Sequence, residues 1–357
     1  MQKVSILIAD ITCVGGIERV ICLLANALAN YGFKVEIISL YRTNANINYA
    51  LNKDIKVTFI NKLKYSGKPG GYFRLFKHIL SAVKLNKHLL ANKNSFFIIN
   101  TFPMAFISMP FILFSKNTCV VEHVYHSYYS KPIQYIRQFI YKFITTIVAL
   151  TDTDAEKYKR GHRHVVKIPN PLSFVECGES TLRNHKIIAV GRLEYQKGFD
   201  LLIQAFARAS KDTDWSLDIY GDGTLRKELE EIIQFNEISN INLLGNVSNI
   251  DEIYKDYSLF VFSSRFEGFG MVLLEAMRAG LPCISFNCPT GPAEIFDNGE
   301  YGILVDNGNI DELSNVMKMF MDSFELRSKF SKLSIIRTEN YTLDKILPLW
   351  VDLINRN

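Results

Sequence analysis

The sequence has few of the features that would take it out of the ordinary folded class. No apolar run is long enough to cross a bilayer as a helix: the longest, Phe102 to Phe114, covers about 13 residues and holds two prolines, where roughly 20 apolar residues are needed. The N-terminal Met1-Gln2-Lys3 followed by Val4 to Ile8 is too short for a secretory signal and reads as a first strand. Its six cysteines, Cys13, Cys22, Cys119, Cys177, Cys283 and Cys288, include no C-x-x-C pair, which gives no sign of a zinc site or a disulfide framework and points to the cytoplasm. No segment is low in complexity, and at 48% hydrophobic and 22% charged residues the chain can build cores rather than remain disordered. Its 357 residues exceed what one core usually serves, so two domains are expected.

Acidic residues are scarce in the first half. Residues 1–168 hold 23 Lys and Arg against 8 Asp and Glu, a net +15, whereas the remainder holds 18 against 28, a net −10. Between Asp54 and Asp152 the one acid is Glu122, while Lys56, Lys62, Lys64, Lys68, Arg74, Lys77, Lys84, Lys87, Lys93, Lys116, Lys131, Arg137 and Lys142 alternate with tyrosines and phenylalanines. Segregation of charge by domain predicts an anionic partner for the first domain. A cytoplasmic membrane surface fits, since each nearby Lys or Arg contributes about 1 kcal/mol at an anionic leaflet, and the aromatic segment Tyr72 to Leu90 suits a lipid interface. Nucleic acid competes as the anion but is not expected, because no nucleic-acid module is recognisable.

Strands and helices alternate twice along the chain, the pattern of parallel sheets covered on both faces. In the first stretch, strand Val4 to Ile8, a loop with Gly15-Gly16, a helix from about Ile17 to Asn30 stopping at Gly32, and strand Lys34 to Leu40 form one βαβ unit. Further strands are expected at Lys56 to Ile60, Ser95 to Asn100, Thr118 to Glu122 and Thr146 to Leu150, with a helix over about Gly71 to Ala91. The second stretch starts with strand Lys186 to Val190 and repeats the alternation through Gly302 to Val305 before closing helices. The fold class is therefore α/β: two Rossmann-like domains, 1–168 and 171–340, with the helix at about 341–357 packing back on the first, and with parallel sheets facing each other across a cleft.

The strongest chemical signal is Glu267-Gly-Phe-Gly-Met-Val-Leu-Leu-Glu275, where a strand runs through a loop into a helix. Gly268-Phe269-Gly270 lets backbone amides and a helix N-terminus approach an anion closely, a diphosphate being the natural fit. Glu275 then suits ribose hydroxyls and Glu267 a sugar hydroxyl. Two glutamates in a helix's first turns can also simply complement its dipole. Arg192 and Lys197 follow the first strand of the second domain, where two cations can neutralise a leaving diphosphate without a metal. The D-x-D pairs Asp152/Asp154 and Asp212/Asp214 have the spacing of a metal-held diphosphate site, but Asp152 and Asp154 stand where a helix begins and read as capping. His162 and His164 lack a third ligand. No metal or other cofactor is expected.

Together these pieces resemble the retaining glycosyltransferases of the GT-B fold in family 4, which include bacterial lipopolysaccharide, O-antigen and capsule transferases. The resemblance rests on Gly191-Arg192, Lys197-Gly198, Gly221-Asp-Gly223, Phe266 to Gly270, Glu275-Ala-Met and Ala279-Gly280-Leu-Pro282, with Gly15-Gly16-Ile-Glu18-Arg19 and Glu122-His123 in the first half. It implies that Arg192 and Lys197 bind the diphosphate, Glu275 the ribose, and Glu267 with the loop amides the donor sugar. It implies too that Gly15 and Gly16 face the donor phosphates and His123 the sugar. Cys288-Pro-Thr-Gly291-Pro-Ala-Glu294 resembles a segment of members using UDP-hexoses, and is otherwise a turn before a helix. The expectation is transfer of N-acetylgalactosamine, galactose or N-acetylglucosamine from UDP to a lipid-linked saccharide, at the inner face of the cell membrane. The alternatives are a UDP-sugar epimerase of the same fold and a non-catalytic membrane-binding protein.

Overall fold

The computed structural model describes residues 2–64, 72–115, 117–173, 178–235, 238–247 and 249–356, and of 72–79 the backbone alone. Lys68, Lys116, Cys177 and the expected helix start at Gly71 lie outside the described residues. The chain divides into two compact units, one of Met1–Pro171 with Leu343–Asn357 and one of Leu172–Thr342.

In chain order the first unit holds β1 (Lys3–Ile8), α1 (Gly16–Tyr31), β2 (Lys34–Ser39), β3 (Lys56–Phe59), α2 (Tyr72–Ala91), β4 (Phe96–Asn100), α3 (Phe102–Ile107), α4 (Met109–Ile112), β5 (Thr118–Glu122), α5 (Lys131–Tyr141), β6 (Thr146–Ala149), α6 (Asp152–Lys159) and β7 (Val165–Lys167). The second holds β8 (Lys186–Val190), α7 (Phe199–Ala209), β9 (Ser216–Tyr220), α8 (Arg226–Phe235), β10 (Ile241–Gly245), α9 (Ile250–Ile253), β11 (Leu259–Phe262), α10 (Met271–Arg278), β12 (Cys283–Phe286), α11 (Pro292–Ile295), β13 (Ile303–Val305), α12 (Ile310–Asp322) and α13 (Phe324–Thr338). A last helix, α14 (Leu343–Asn355), belongs to the first unit and packs on α1.

Every strand pairing is parallel, in the orders β3-β2-β1-β4-β5-β6-β7 and β10-β9-β8-β11-β12-β13. The strand order reverses between β1 and β4 in one sheet and between β8 and β11 in the other. Ligands of open parallel sheets bind outside the carboxyl ends of the strands at such points. Strands such as β4, FFIIN, and β12, CISF, are buried at every residue, as strands covered by helices on both faces must be. α1 ends where Gly32 turns left-handed (φ 114°) and its amide closes on the Ala29 and Leu28 carbonyls.

α3, α4, α5 and β7 go beyond the elements the sequence pattern gives, whereas α6 begins where Asp152 and Asp154 are expected to cap a helix. α3 and α4 occupy the apolar Phe102–Phe114 run, which the prolines at the start of each helix break into two short pieces. α6 is capped by Thr151, whose hydroxyl accepts from the Asp154 amide, so the cap is one residue ahead of the expected pair. Among the described residues no helix is long and apolar enough to cross a membrane.

Candidate functional site

In the second unit the two loops that leave β8 and β11, the strands either side of the reversal, are stitched together. Ser263 Oγ donates to the Lys197 carbonyl (2.8 Å), the Arg265 amide to the Gln196 carbonyl (2.8 Å) and Gln196 Nε2 to the Phe266 carbonyl (3.0 Å). Gly198 sits at φ 63° with the Ser263 carbonyl oxygen where a Cβ would be, so only glycine permits this approach. The stitching brings Lys197 Nζ to 2.6 Å from Glu267 Oε1, with Ser264 Oγ donating to the same oxygen at 2.8 Å. Both side chains are largely buried, 14% and 9% exposed. Lys197 Nζ also stands 5.0 Å from the Phe262 ring centroid. A lysine so held has two N–H donors beyond the one given to Glu267, and Glu267 Oε2 has no hydrogen-bond partner among the described residues.

A third loop supports this pair. Thr290 Oγ1 donates to the Glu267 carbonyl, and Gly291, at φ 98°, lies against the Phe269 carbonyl where a Cβ would clash. The Cys288–Glu294 segment thus forms the floor under Glu267–Gly270. The Cys288 thiol is pushed up to about 12, first by burial and then by the Glu267 charge. Gly270, left-handed at φ 104°, opens α10, so the loop amides precede an eight-residue helix. Arg192 is exposed at the carboxyl end of β8. Glu275 is buried within α10, and its Oε1 accepts from Ser173 Oγ at 2.6 Å.

In the first unit, Gly15 and Gly16 stand at the start of α1, after β1. The Gly15 amide donates to the Tyr49 hydroxyl, which in turn donates to the Gly15 carbonyl, both at 3.1 Å. Asn44 Nδ2 and Asn48 Nδ2 hold the Thr12 carbonyl at 2.7 and 2.8 Å, and Asp10 takes the Thr12 and Thr43 amides. The glycine loop is therefore clasped by residues 43–49, and a phosphate at the Gly15 amide would have to displace Tyr49.

His123 follows β5. Asn100, at the end of the adjacent β4, spends its amide NH2 on the Leu7 carbonyl (2.9 Å), which turns Asn100 Oδ1 toward His123 Nε2 at 2.9 Å. An oxygen acceptor there requires a proton on Nε2 and leaves Nδ1 as an acceptor. Burial pushes the imidazole down to about 4, so the ring is neutral at physiological pH. Farther along the chain, Arg137 of α5 is fully buried between the Tyr129 and Tyr158 rings (5.5 and 5.2 Å) and donates to the His126 carbonyl at 2.6 Å. Asp154 accepts from the His126 amide, and the Tyr141 hydroxyl donates to Glu122. Burial raises Glu122 to about 7, opposed by Arg137, and lowers His126 to about 4.

Three of the four D-x-D aspartates are engaged elsewhere: Asp152 pairs with Lys167 (2.7 Å), Asp154 belongs to the cluster above, and Asp214 meets His185 (2.7 Å). Among the described residues no three of His, Cys, Asp and Glu gather as a metal would need.

The pattern of Glycosyl transferases group 1 matches residues 179–335, the stretch that contributes Arg192, Lys197, Glu267 and Glu275. An uncharacterized glycosyltransferase of Methanocaldococcus jannaschii is 30% identical over 291 residues, 68% of this chain and 71% of that protein. The chain belongs to the glycosyl transferases group 1 family. A Haemophilus influenzae glycosyltransferase is 28% identical over 361 residues, covering 98% of this chain and 99% of its own. The Campylobacter jejuni 4-alpha-N-acetylgalactosaminyltransferase acting on N-acetylgalactosamine-N,N'-diacetylbacillosaminyl-diphospho-undecaprenol is 31% identical over 166 residues, 46% of this chain and 45% of its own. Among solved structures, S. aureus TarM in complex with UDP superposes with a TM-score of 0.81 at 15% identity, over 99% of this chain and 100% of that one. The two parallel-sheet Rossmann-like units are thus those of the GT-B fold.

Sequence reasoning missed Tyr49, Asn100 and Arg137. Asn100 carried a signal, since it ends the strand beside the reversal point. Tyr49 lies in an irregular, asparagine-rich segment, and Arg137 read as one more surface cation.

Proposed function

We propose that this chain is a metal-independent retaining hexosyltransferase, moving N-acetylgalactosamine, galactose or N-acetylglucosamine from UDP onto a lipid-linked saccharide at the inner membrane face in cell-surface polysaccharide synthesis. The observation that carries the reading is the Lys197–Glu267 pair, held at the strand-order reversal of the second sheet next to the Gly268–Gly270 loop. Lys197 and Arg192 take the diphosphate, Glu275 the ribose, and Glu267 with the Gly268, Phe269 and Gly270 amides the donor sugar. Gly15 and Gly16 meet the donor phosphates once Tyr49 yields, and the His123 Nδ1 accepts from a sugar hydroxyl. The acceptor hydroxyl forms its bond to the anomeric carbon on the face from which UDP departs. The glycosyl–phosphate bond breaks with its electron pair going to UDP, and the acceptor proton goes to the leaving phosphate oxygen, giving net retention. The UDP bound by TarM and the diphospho-undecaprenol acceptor in the Campylobacter jejuni protein's name support donor and acceptor class. The charge asymmetry supports the membrane face, with the basic first unit turned toward anionic lipid.

The test is calorimetric titration with UDP and then UDP-, GDP- and ADP-sugars in EDTA, followed by transfer to a polyprenyl-diphosphate saccharide. UDP binding that is unaffected by EDTA and lost in Lys197→Ala is expected. Conversion of the donor to its epimer without acceptor, or a strict need for Mn²⁺, would overturn the reading.

A further inference from the structure

α5 has a buried face and an exposed apolar one. The first, Arg137, Ile140 and Tyr141, is buried in the first unit. The other points to solvent: Ile136, Phe139 and Phe143 recur at three- and four-residue spacing, the repeat that places side chains on one stripe of a helix and its final turn, with Tyr135 beside them. Tyr135 is 71% and Phe139 57% exposed, and the Phe139 and Phe143 rings meet edge to face at 5.5 Å, an aromatic pair formed on the surface rather than in the core. α3, which packs on α5, adds Phe106 to the exposed apolar side chains. A folded chain gains nothing from showing such a stripe to water, and contiguous exposed apolar area marks an interaction surface.

The charge around the stripe selects the partner. From His123 to Thr151 the chain has no acid, and Lys131 and Lys142, both exposed, stand at the two ends of the helix. Aromatic and branched side chains flanked by lysines, on a stretch of chain that holds no carboxylate, match the boundary between anionic headgroups and acyl chains.

We propose that the outer face of α5 inserts into the headgroup–acyl boundary of an anionic bilayer, with Ile136, Phe139 and Phe143 entering the lipid and Lys131 and Lys142 on the headgroups. This rests on reading the chain as a transferase to a lipid-linked acceptor, and it differs from attachment by basic charge alone. It fixes one helix as the contact and makes apolar burial the larger part of the binding.

The full chain carrying Phe139→Trp gives a direct probe, because the two native tryptophans, Trp215 and Trp350, are buried. Its emission shifts to the blue on vesicles containing phosphatidylglycerol and is quenched by brominated acyl chains. In co-sedimentation, Ile136→Ser/Phe139→Ser/Phe143→Ser weakens binding to the same vesicles about tenfold or more, while UDP titration is unchanged. Wild-type binding that survives the triple substitution, or a probe insensitive to vesicles that do bind the protein, would overturn the proposal. So would light scattering showing a dimer that the triple substitution splits, with no vesicle binding, since a second copy would then cover the face. Loss of UDP binding by the wild type with vesicle insertion intact would instead remove the transferase reading and leave the insertion standing.

Discussion

Lys197 Nζ lies 2.6 Å from Glu267 Oε1, and the two side chains come from loops seventy positions apart that leave strands on either side of the reversal in the second sheet. The pair does two things at once. It compensates a buried carboxylate that would otherwise be costly to desolvate, and it aims an ammonium group beside the loop amides that open α10. On the proposed function, structure and chemistry draw on the same contact, and substitutions there separate the two.

Arg192→Ala and Lys197→Ala should each reduce turnover about 10²- to 10³-fold. Their effects on stability should differ. Arg192 is exposed and its loss leaves the melting temperature close to wild type, whereas Lys197→Ala strands Glu267 and costs about 2 kcal/mol. Adding Glu267→Gln to Lys197→Ala should recover much of that stability but none of the rate. Parallel thermal melts and initial rates on the four proteins check this; equal melting temperatures for the two single variants would mean the pair is not a structural contact.

Asn100 fixes which imidazole nitrogen of His123 accepts. Asn100→Ala should lower kcat about 10- to 100-fold by letting the ring turn, with UDP affinity retained. Asn100→Asp goes further: a carboxylate against Nε2 favours the imidazolium, converts Nδ1 from acceptor to donor, and should add a falling limb to the rate profile on the acid side. A profile unchanged in both variants would show that His123 has no part in turnover.

Glu122 gives the stability of the first unit a distinctive pH dependence. Its carboxyl titrates near 7 when folded against an ordinary 4.5, so between those values the folded chain keeps a proton that the unfolded chain has shed, and stability falls as pH rises through the window. His123 and His126 act in the opposite sense: held at about 4 against an ordinary 6.5, they make stability fall as pH drops through that range. Glu122→Gln removes the first trend and leaves the second. Denaturation midpoints of the variant should therefore gain on wild type steadily from pH 4.5 to 7 and run parallel above it.

The alternation of strands and helices made both sheets legible, because strands buried on both faces read as unbroken apolar runs and Gly32 and Gly270 mark a helix end and a helix start. The helices α3 to α5 are hidden by what surrounds them: prolines split the Phe102–Phe114 run, and the aromatic α5, with Lys131 and Lys142 at its two ends, looks the same in sequence whether its outer apolar face is covered or bare. In the second unit Glu267 and Lys197 could be singled out as chemistry-bearing, but their salt bridge could not, since it depends on Gly198 and Gly291 allowing three loops to close together. The clasp of Tyr49 on Gly15 had no local signal at all; it is a contact between a helix start and an irregular segment, set by tertiary packing.

α14 closes the first unit after the whole of the second has intervened in the chain, with Gln2 Nε2 donating to the Ile354 carbonyl and Ile346, Trp350 and Ile354 buried. During synthesis the earlier-made unit must therefore wait about 10 to 30 s for its last helix while the later one emerges and can fold. Until then the surface of α1 that α14 covers is bare, so the nascent chain presents a hydrophobic seam that a chaperone can hold, and truncation before residue 343 should injure the N-terminal unit rather than the unit at which the cut is made.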